Sequence, residues 1–187
     1  MAESAREIHE RSAGALRMPP VEDWATFPFD GDMRPRPLKA PEDESPRAGA
    51  GGGAGCTACT KPDTDYLWTD DLWRLAAPAP NGLPVVVILE SRVHYAEPGD
   101  LPDEVARDLG LILCRVERAV RSVGEIARVH VCRWGDGAEH LHWWFMGRPA
   151  GLPQLVGSFA AIWDDILPPT PEDVWADNLA RVVRALG

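Results

Sequence analysis

Residues 139–149 read Glu-His-Leu-His-Trp-Trp-Phe-Met-Gly-Arg-Pro, and the fold turns on how this stretch is read. Side chains alternate across a strand, so His140 and His142 share one face with Trp144 beyond them, while Leu141, Trp143 and Phe145 point the other way, toward a core. A His-x-His pair on its own also fits a solvated strand face. Its neighbours must decide between the two.

Immediately upstream, Ala127 to Trp134 (ARVHVCRW) sets Val129 and Val131 against His130 and Cys132, and the turn GDGA (135–138) joins it to the first stretch as a hairpin. Further back, LPVVVILESRV (83–93) is apolar on consecutive positions, as expected of a central strand buried on both faces. YLWT (66–69) and LWRLA (72–76) predict another hairpin around the Asp70-Asp71 turn. Between these strands, Leu101 to Val123 places Val105, Leu109, Ile112, Val116 and Val120 on one helical face. Cys114 reads as a small apolar residue of that helix's buried part. A helix around Gly157 to Ile166 follows, then a last one whose start, Thr170-Pro171-Glu172-Asp173, offers an N-cap hydroxyl and Pro in the first helical position. Strands in the middle with helices around them give an α+β class with a mostly antiparallel sheet.

Cys56 and Cys59 form a CxxC with two readings. A redox pair needs a helix start to lower the thiol pKa. Here TKPDTD follows, which favours a turn, so metal binding is the better reading. Zinc then requires two further nitrogen or sulfur ligands, and two thiolates balance the charge of one Zn²⁺ in a Cys₂His₂ site.

Together these pieces resemble the histidine triad (HIT) superfamily of nucleotide hydrolases and transferases, which includes the galactose-1-phosphate uridylyltransferase branch. The resemblance runs from Cys56 to about Arg148: CTAC, the acidic turn in WTDDLW, the buried strand ending in His before a Leu-Pro-acid helix start (VVVILESRVHYAEPGDLPDE), and EHLHWWFMGRP. It implies a HIT-like fold and structural zinc on Cys56, Cys59, His94 and His140. It also implies a nucleophile that attacks the α-phosphate of a nucleotide and forms a nucleotidyl-histidine. In one register His140 is the first triad histidine, His142 the nucleophile and Trp144 stands in the third place; in the other Ala138 is first and His140 the nucleophile. The former is preferred because it puts Arg148 where the family often has Arg.

Trp144 departs from the family pattern, since an indole N–H can donate to a phosphate oxygen but has no useful pKa for acid catalysis. Where many members carry an Asn, this chain has Cys132 or Arg133, and Arg133 and Arg148 are the candidate phosphate-binding cations. His130 is a candidate substitute acid. Two functions follow: a nucleotide hydrolase or nucleotidyltransferase working on a good leaving group, or a catalytically impaired, zinc-stabilised nucleotide-binding domain. Homodimers are common in the family.

Composition sets the limits. Of 187 residues, 29 are acidic and 19 basic, and a formal charge of −10 argues against nucleic acid polymers and anionic membranes as partners. A small nucleotide or nucleotide-sugar still fits, through a local basic patch. No apolar run reaches the length of a membrane span and the N-terminus lacks a signal-peptide pattern, so a cytoplasmic protein is expected. Fifteen Pro and Gly fall in the first 62 positions. Residues 1–55 therefore read as a partly disordered extension, with a short helix over 2–13 and an aromatic island, Trp24 to Leu38, that can dock as a strap; residues 56–187 read as the HIT-like domain. Most of the eight Trp residues, among them Trp73, Trp143, Trp163 and Trp175, read as core or interface rather than as a base-stacking platform.

Overall fold

The computed structural model describes residues 43–187 continuously and, before them, only residues 10, 27, 29, 31–34, 37, 40 and 41. The chain divides into two units, Met1–Pro46 and Arg47–Gly187. In the first, the Phe27 and Phe29 rings meet edge to face at 5.8 Å. The expected helix over 2–13 and most of the Trp24 to Leu38 island lie outside the described residues.

The second unit is built on a five-stranded antiparallel sheet in the order β1-β2-β3-β5-β4. Its strands are β1 (Trp68–Thr69), β2 (Trp73–Ala76), β3 (Val86–Ser91), β4 (Ile126–Cys132) and β5 (His142–Pro149). The β1–β2 hairpin turns where the acidic pair predicts. Asp70 Oδ1 accepts from the N–H groups of Leu72 and Trp73 at 2.9 and 2.7 Å, an aspartate-closed turn. β3 is central, between β2 and β5, with Val86, Val87, Leu89 and Ser91 buried.

One face of the sheet presents Trp73, Leu75, Val87, Leu89, Trp143 and Phe145 to two helices, α2 (Asp103–Arg121) and α4 (Glu172–Leu186), and this layer is the main core. Leu141, Trp143 and Phe145 are buried there, as the alternation requires. On α2 the inward residues are Val105, Ile112, Val116, Ala119 and Val120, with Leu109 packed at the margin. Cys114 corrects its sequence reading: it is exposed, because it lies half a turn from both Ile112 and Val116. The α4 start is also corrected. Thr170 does not cap the helix; its hydroxyl donates to the Leu83 carbonyl at 2.9 Å, tying the connection to the sheet, and Pro171 takes the cap position.

Among the described residues the opposite sheet face is covered at one end. There Leu83, Val86, Met146, Leu155 and Trp175 form a second cluster, with Ala161 and Trp163 of α3 (Phe159–Ile166) against it. The other end, carrying Ile88, Glu90, His142 and Trp144, is left open as a cleft. Among the described residues no helix is long and apolar enough to cross a membrane.

Candidate functional site

Three chain segments meet at the open end of the sheet. Cys56 heads a one-turn helix, α1 (Thr57–Thr60), whose bonds from the N–H groups of Cys59 and Thr60 to the Cys56 carbonyl bring both thiols to one side. His94 follows β3, and His140 precedes β5. The last two are held together by backbone bonds from Ser91 N to the Leu141 carbonyl and from Leu141 N to the Tyr95 carbonyl, at 3.1 and 2.8 Å.

The four ligand atoms, two Sγ and two Nδ1, all lie within 4.8 Å of one another. Cys56 Sγ is 3.5 Å from His140 Nδ1, Cys59 Sγ is 3.6 Å from both His94 Nδ1 and His140 Nδ1, and the two Nδ1 atoms are 3.2 Å apart. A tetrahedron with metal–sulfur bonds of about 2.3 Å and metal–nitrogen bonds of about 2.0–2.1 Å has S···N edges of about 3.6 Å and N···N edges of about 3.3 Å. The donor set fits a tetrahedral metal in chemistry and in spacing.

The surroundings prepare the ligands for that task. His140 Nε2–H donates to the Ser91 carbonyl at 2.7 Å, which fixes the tautomer and leaves Nδ1 with its lone pair. Burial holds the His140 imidazole below its usual range, favouring the neutral form a metal needs. Burial, and after it the neighbouring Cys56 thiol, push the Cys59 thiol up, so Cys59 resists ionising without a compensating cation. His94 Nε2 faces Glu139 Oε1 at 3.4 Å, and the same carboxylate oxygen accepts Gly51 N–H at 2.8 Å.

The Gly-rich run closes over this cluster. Ala48 bridges to Ala138 in parallel, its N–H donating to the Gly137 carbonyl at 3.0 Å and its carbonyl accepting the Glu139 N–H at 2.9 Å, which lays residues 48–55 beside the approach to β5. Gly52 has φ 70° and ψ −151°, a region open to glycine alone, and a Cβ there would meet His94 Cγ at 2.9 Å. A Cβ on Gly49 would come within 3.2 Å of Cys56 Sγ. These glycines are a cradle.

Beside the cluster lies the cleft, of about 340 Å³, floored by Ile88, Glu90, His142 and Trp144 and walled by the Gly-rich run, Thr57, Ala58, Lys61 and Tyr66. His142 Nδ1–H donates to the carbonyl of His140 at 2.8 Å, so its Nε2 keeps the lone pair. Glu90 is the cross-strand partner of His142 and Ile88 that of Trp144. Tyr66 donates its hydroxyl to Glu90 Oε2 at 2.8 Å, and the Lys61 ammonium sits over the Tyr66 ring, 4.4 Å from its centroid.

Of the residues singled out from sequence, Cys56, Cys59, His94 and His140 come together, and His142 and Trp144 share the adjoining cleft. Arg133 and Arg148 do not line it. Arg133 is bound to Glu97 Oε2 at 2.6 Å and to the Ala96 carbonyl, and Arg148 donates to the Leu152 carbonyl at the far end of β5. His130 pairs across the sheet with Met146, four residues along β5 from His142, and so does not reach the cleft either. Lys61, Tyr66 and Glu90 are additions. Glu90 was legible in principle, through β3–β5 register, whereas nothing in the sequence pointed to Tyr66 or Lys61.

No family model matches the sequence, and no curated protein matches it. Solved structures do. A histidine triad protein from Bradyrhizobium japonicum superimposes with a TM-score of 0.54 at 15% identity, covering 65% of this chain and 90% of that one. One from Marinobacter aquaeolei VT8 gives 0.52 at 22% identity over 66% and 90%. A hypothetical histidine triad nucleotide-binding protein from Sulfolobus tokodaii strain7 gives 0.54 at 11% over 70% and 91%. With that architecture reproduced across about two thirds of its length, the chain has the histidine triad fold.

Proposed function

We propose that the cleft carries nucleotidyl transfer or hydrolysis at an α-phosphate, with His142 as nucleophile. The observation that supports it most is the free Nε2 of His142 on the cleft floor, held there by the Nδ1–H bond to the His140 carbonyl. The Nε2 lone pair attacks phosphorus, and the bond from phosphorus to the leaving oxygen breaks with its electron pair. Water or an acceptor hydroxyl then attacks the same phosphorus and loses its proton, and the nitrogen–phosphorus electrons return to His142. Trp144 supplies an indole N–H for a phosphate oxygen and no titratable proton. Substrates with good leaving groups, such as pyrophosphate or a nucleotide, suit a site of this kind.

Cys56, Cys59, His94 and His140 would hold zinc, which would brace the fold beside the nucleophile with no net charge from two thiolates and one Zn²⁺. The catalytic unit is residues 56–187, with 1–55 as an extension. The ligand is a small nucleotide or nucleotide-sugar.

Trp144 favours a second reading, a zinc-braced domain that binds nucleotides without turning them over, because loss of a general acid typically costs about 10²- to 10⁴-fold in rate. Incubation with nucleoside polyphosphates, a basic quench and mass analysis separate the two. The enzyme reading expects a nucleotidyl increment on His142 that His142→Ala abolishes; nucleotide binding with no increment supports the second reading. For the metal, the purified protein is expected to carry about one zinc per chain, and the Cys56→Ser, Cys59→Ser double variant none. A metal-free wild-type protein overturns the zinc assignment.

A further inference from the structure

We infer that Lys61 is the cation that receives the phosphate group in this cleft, and that the ring of Tyr66 holds it there. The inference deepens the proposed nucleotidyl chemistry and rests on it for the identity of the natural ligand. It follows from a comparison of the cations around the site. Arg133 is ion-paired with Glu97 at 2.6 Å, and Arg47 shares that carboxylate at 2.7 Å and lies 3.6 Å from Glu139. Arg74 lies 3.0 Å from Asp63 and donates to the Ala58 carbonyl. Arg92 is paired with Asp63 at 2.8 Å, and Arg148 is spent on backbone carbonyls away from the cleft. Lys61 differs from all of these. It lines the cleft that holds His142, is half-buried, and has no carboxylate at ion-pair distance among the described residues.

Its position is nevertheless fixed. The ammonium lies over the face of Tyr66, where the ring quadrupole attracts a cation without neutralising it. Tyr66 is itself buried and anchored through its hydroxyl to Glu90 Oε2 at 2.8 Å, a bond made in the ring plane rather than on its face. Burial, and after it Glu90, push the phenol far above its ordinary range, so the hydroxyl remains a donor. The result is a charged group, poised on an aromatic seat and without a carboxylate partner among the described residues, lining the same cleft as His142. An ammonium binds phosphate as a compact point charge and tolerates varied phosphate geometry.

The test uses the full chain and inorganic pyrophosphate followed by isothermal titration, with Lys61→Met, Lys61→Arg, Tyr66→Phe and Tyr66→Leu. Wild-type protein is expected to bind pyrophosphate in a salt-sensitive manner. Lys61→Met should weaken binding at least about tenfold, since one charge-assisted contact is lost, while Lys61→Arg keeps most of it. Tyr66→Phe retains the ring and should stay within about threefold of wild type, whereas Tyr66→Leu falls toward Lys61→Met. Thermal melting of each variant confirms that the fold is kept. Wild-type protein that does not bind pyrophosphate, or Lys61→Met that binds it as wild type does, overturns the assignment of Lys61. Equal losses in Tyr66→Phe and Tyr66→Leu overturn the role of the ring. Pyrophosphate binding that depends on Lys61, in a protein that takes up no nucleotide, leaves this inference standing and removes the nucleotidyl reading.

Discussion

At the scale of single residues, the site depends on which cation stays free of a carboxylate and on which backbone position tolerates only glycine. Alternation along 139–149 already put His140 and His142 on one face and Leu141, Trp143 and Phe145 on the other. Resemblance supplied His94 and His140 as the partners of the two cysteines. Arg133 and Arg148 were drawn from the family resemblance, near the places where members carry Asn and Arg, but which cation is free depends on where every carboxylate ends up, and Glu97 is brought to Arg133 only by the fold. Gly52 shows the same limit from the other direction. Within AGAGGGAG no glycine stands out, yet this one combines a backbone conformation closed to other residues with a 2.9 Å approach to His94. Gly52→Ala is therefore expected to destabilise the protein by about 1–3 kcal/mol in urea unfolding. Gly53→Ala, also at positive φ but with open space around its Cβ, should cost less. Equal effects would mean that the contact with His94 contributes nothing.

At the scale of elements, periodicity located the long helix and both hairpins because each has a strong internal pattern. It failed where two patterns compete. Cys114 sits inside an apolar helix and looks like core by neighbourhood, but the 3.6-residue period turns it outward, and position within the turn outweighs composition. Ile112 and Cys114 make a direct comparison. Ile112→Ala should cost about 2–5 kcal/mol by leaving a cavity between α2 and the sheet, while Cys114→Ser should stay within about 0.5 kcal/mol of wild type. Denaturant midpoints of the two variants measure this, and a large loss in Cys114→Ser would contradict the helix orientation. Thr170 failed for a different reason: the hydroxyl that a cap would use is taken by the Leu83 carbonyl, a partner 87 residues away in sequence.

At the scale of the whole molecule, a buried carboxylate ties α3 to the loop before β3. Asp164 of α3 accepts the Leu83 N–H at 2.7 Å, and burial pushes its carboxyl up from the ordinary 3.8, outweighing that bond. A raised carboxyl is ionised later in the folded protein than in the unfolded chain. Its contribution to stability is therefore full below pH 3.8 and is lost as pH rises through the folded value. Asp164→Asn removes this titration while keeping an acceptor for Leu83. The urea midpoint of the variant, relative to wild type, should rise across that window and then level off, and a difference independent of pH would contradict it. Long-range ties of this kind, from α3 and from Thr170 to the loop before β3, leave no local pattern and stayed invisible in the sequence. His140 carries the widest consequence. Its ring belongs to the cysteine–histidine cluster and its carbonyl holds His142, so one residue answers to two neighbours. A shift of the backbone at His140 would therefore move both the ring of the cluster and the carbonyl that supports His142. Under the proposed chemistry and zinc assignment, a mutational screen scored on turnover alone would rank the cluster residues together with His142, and a chelator would behave like an inhibitor of the site without ever entering the cleft.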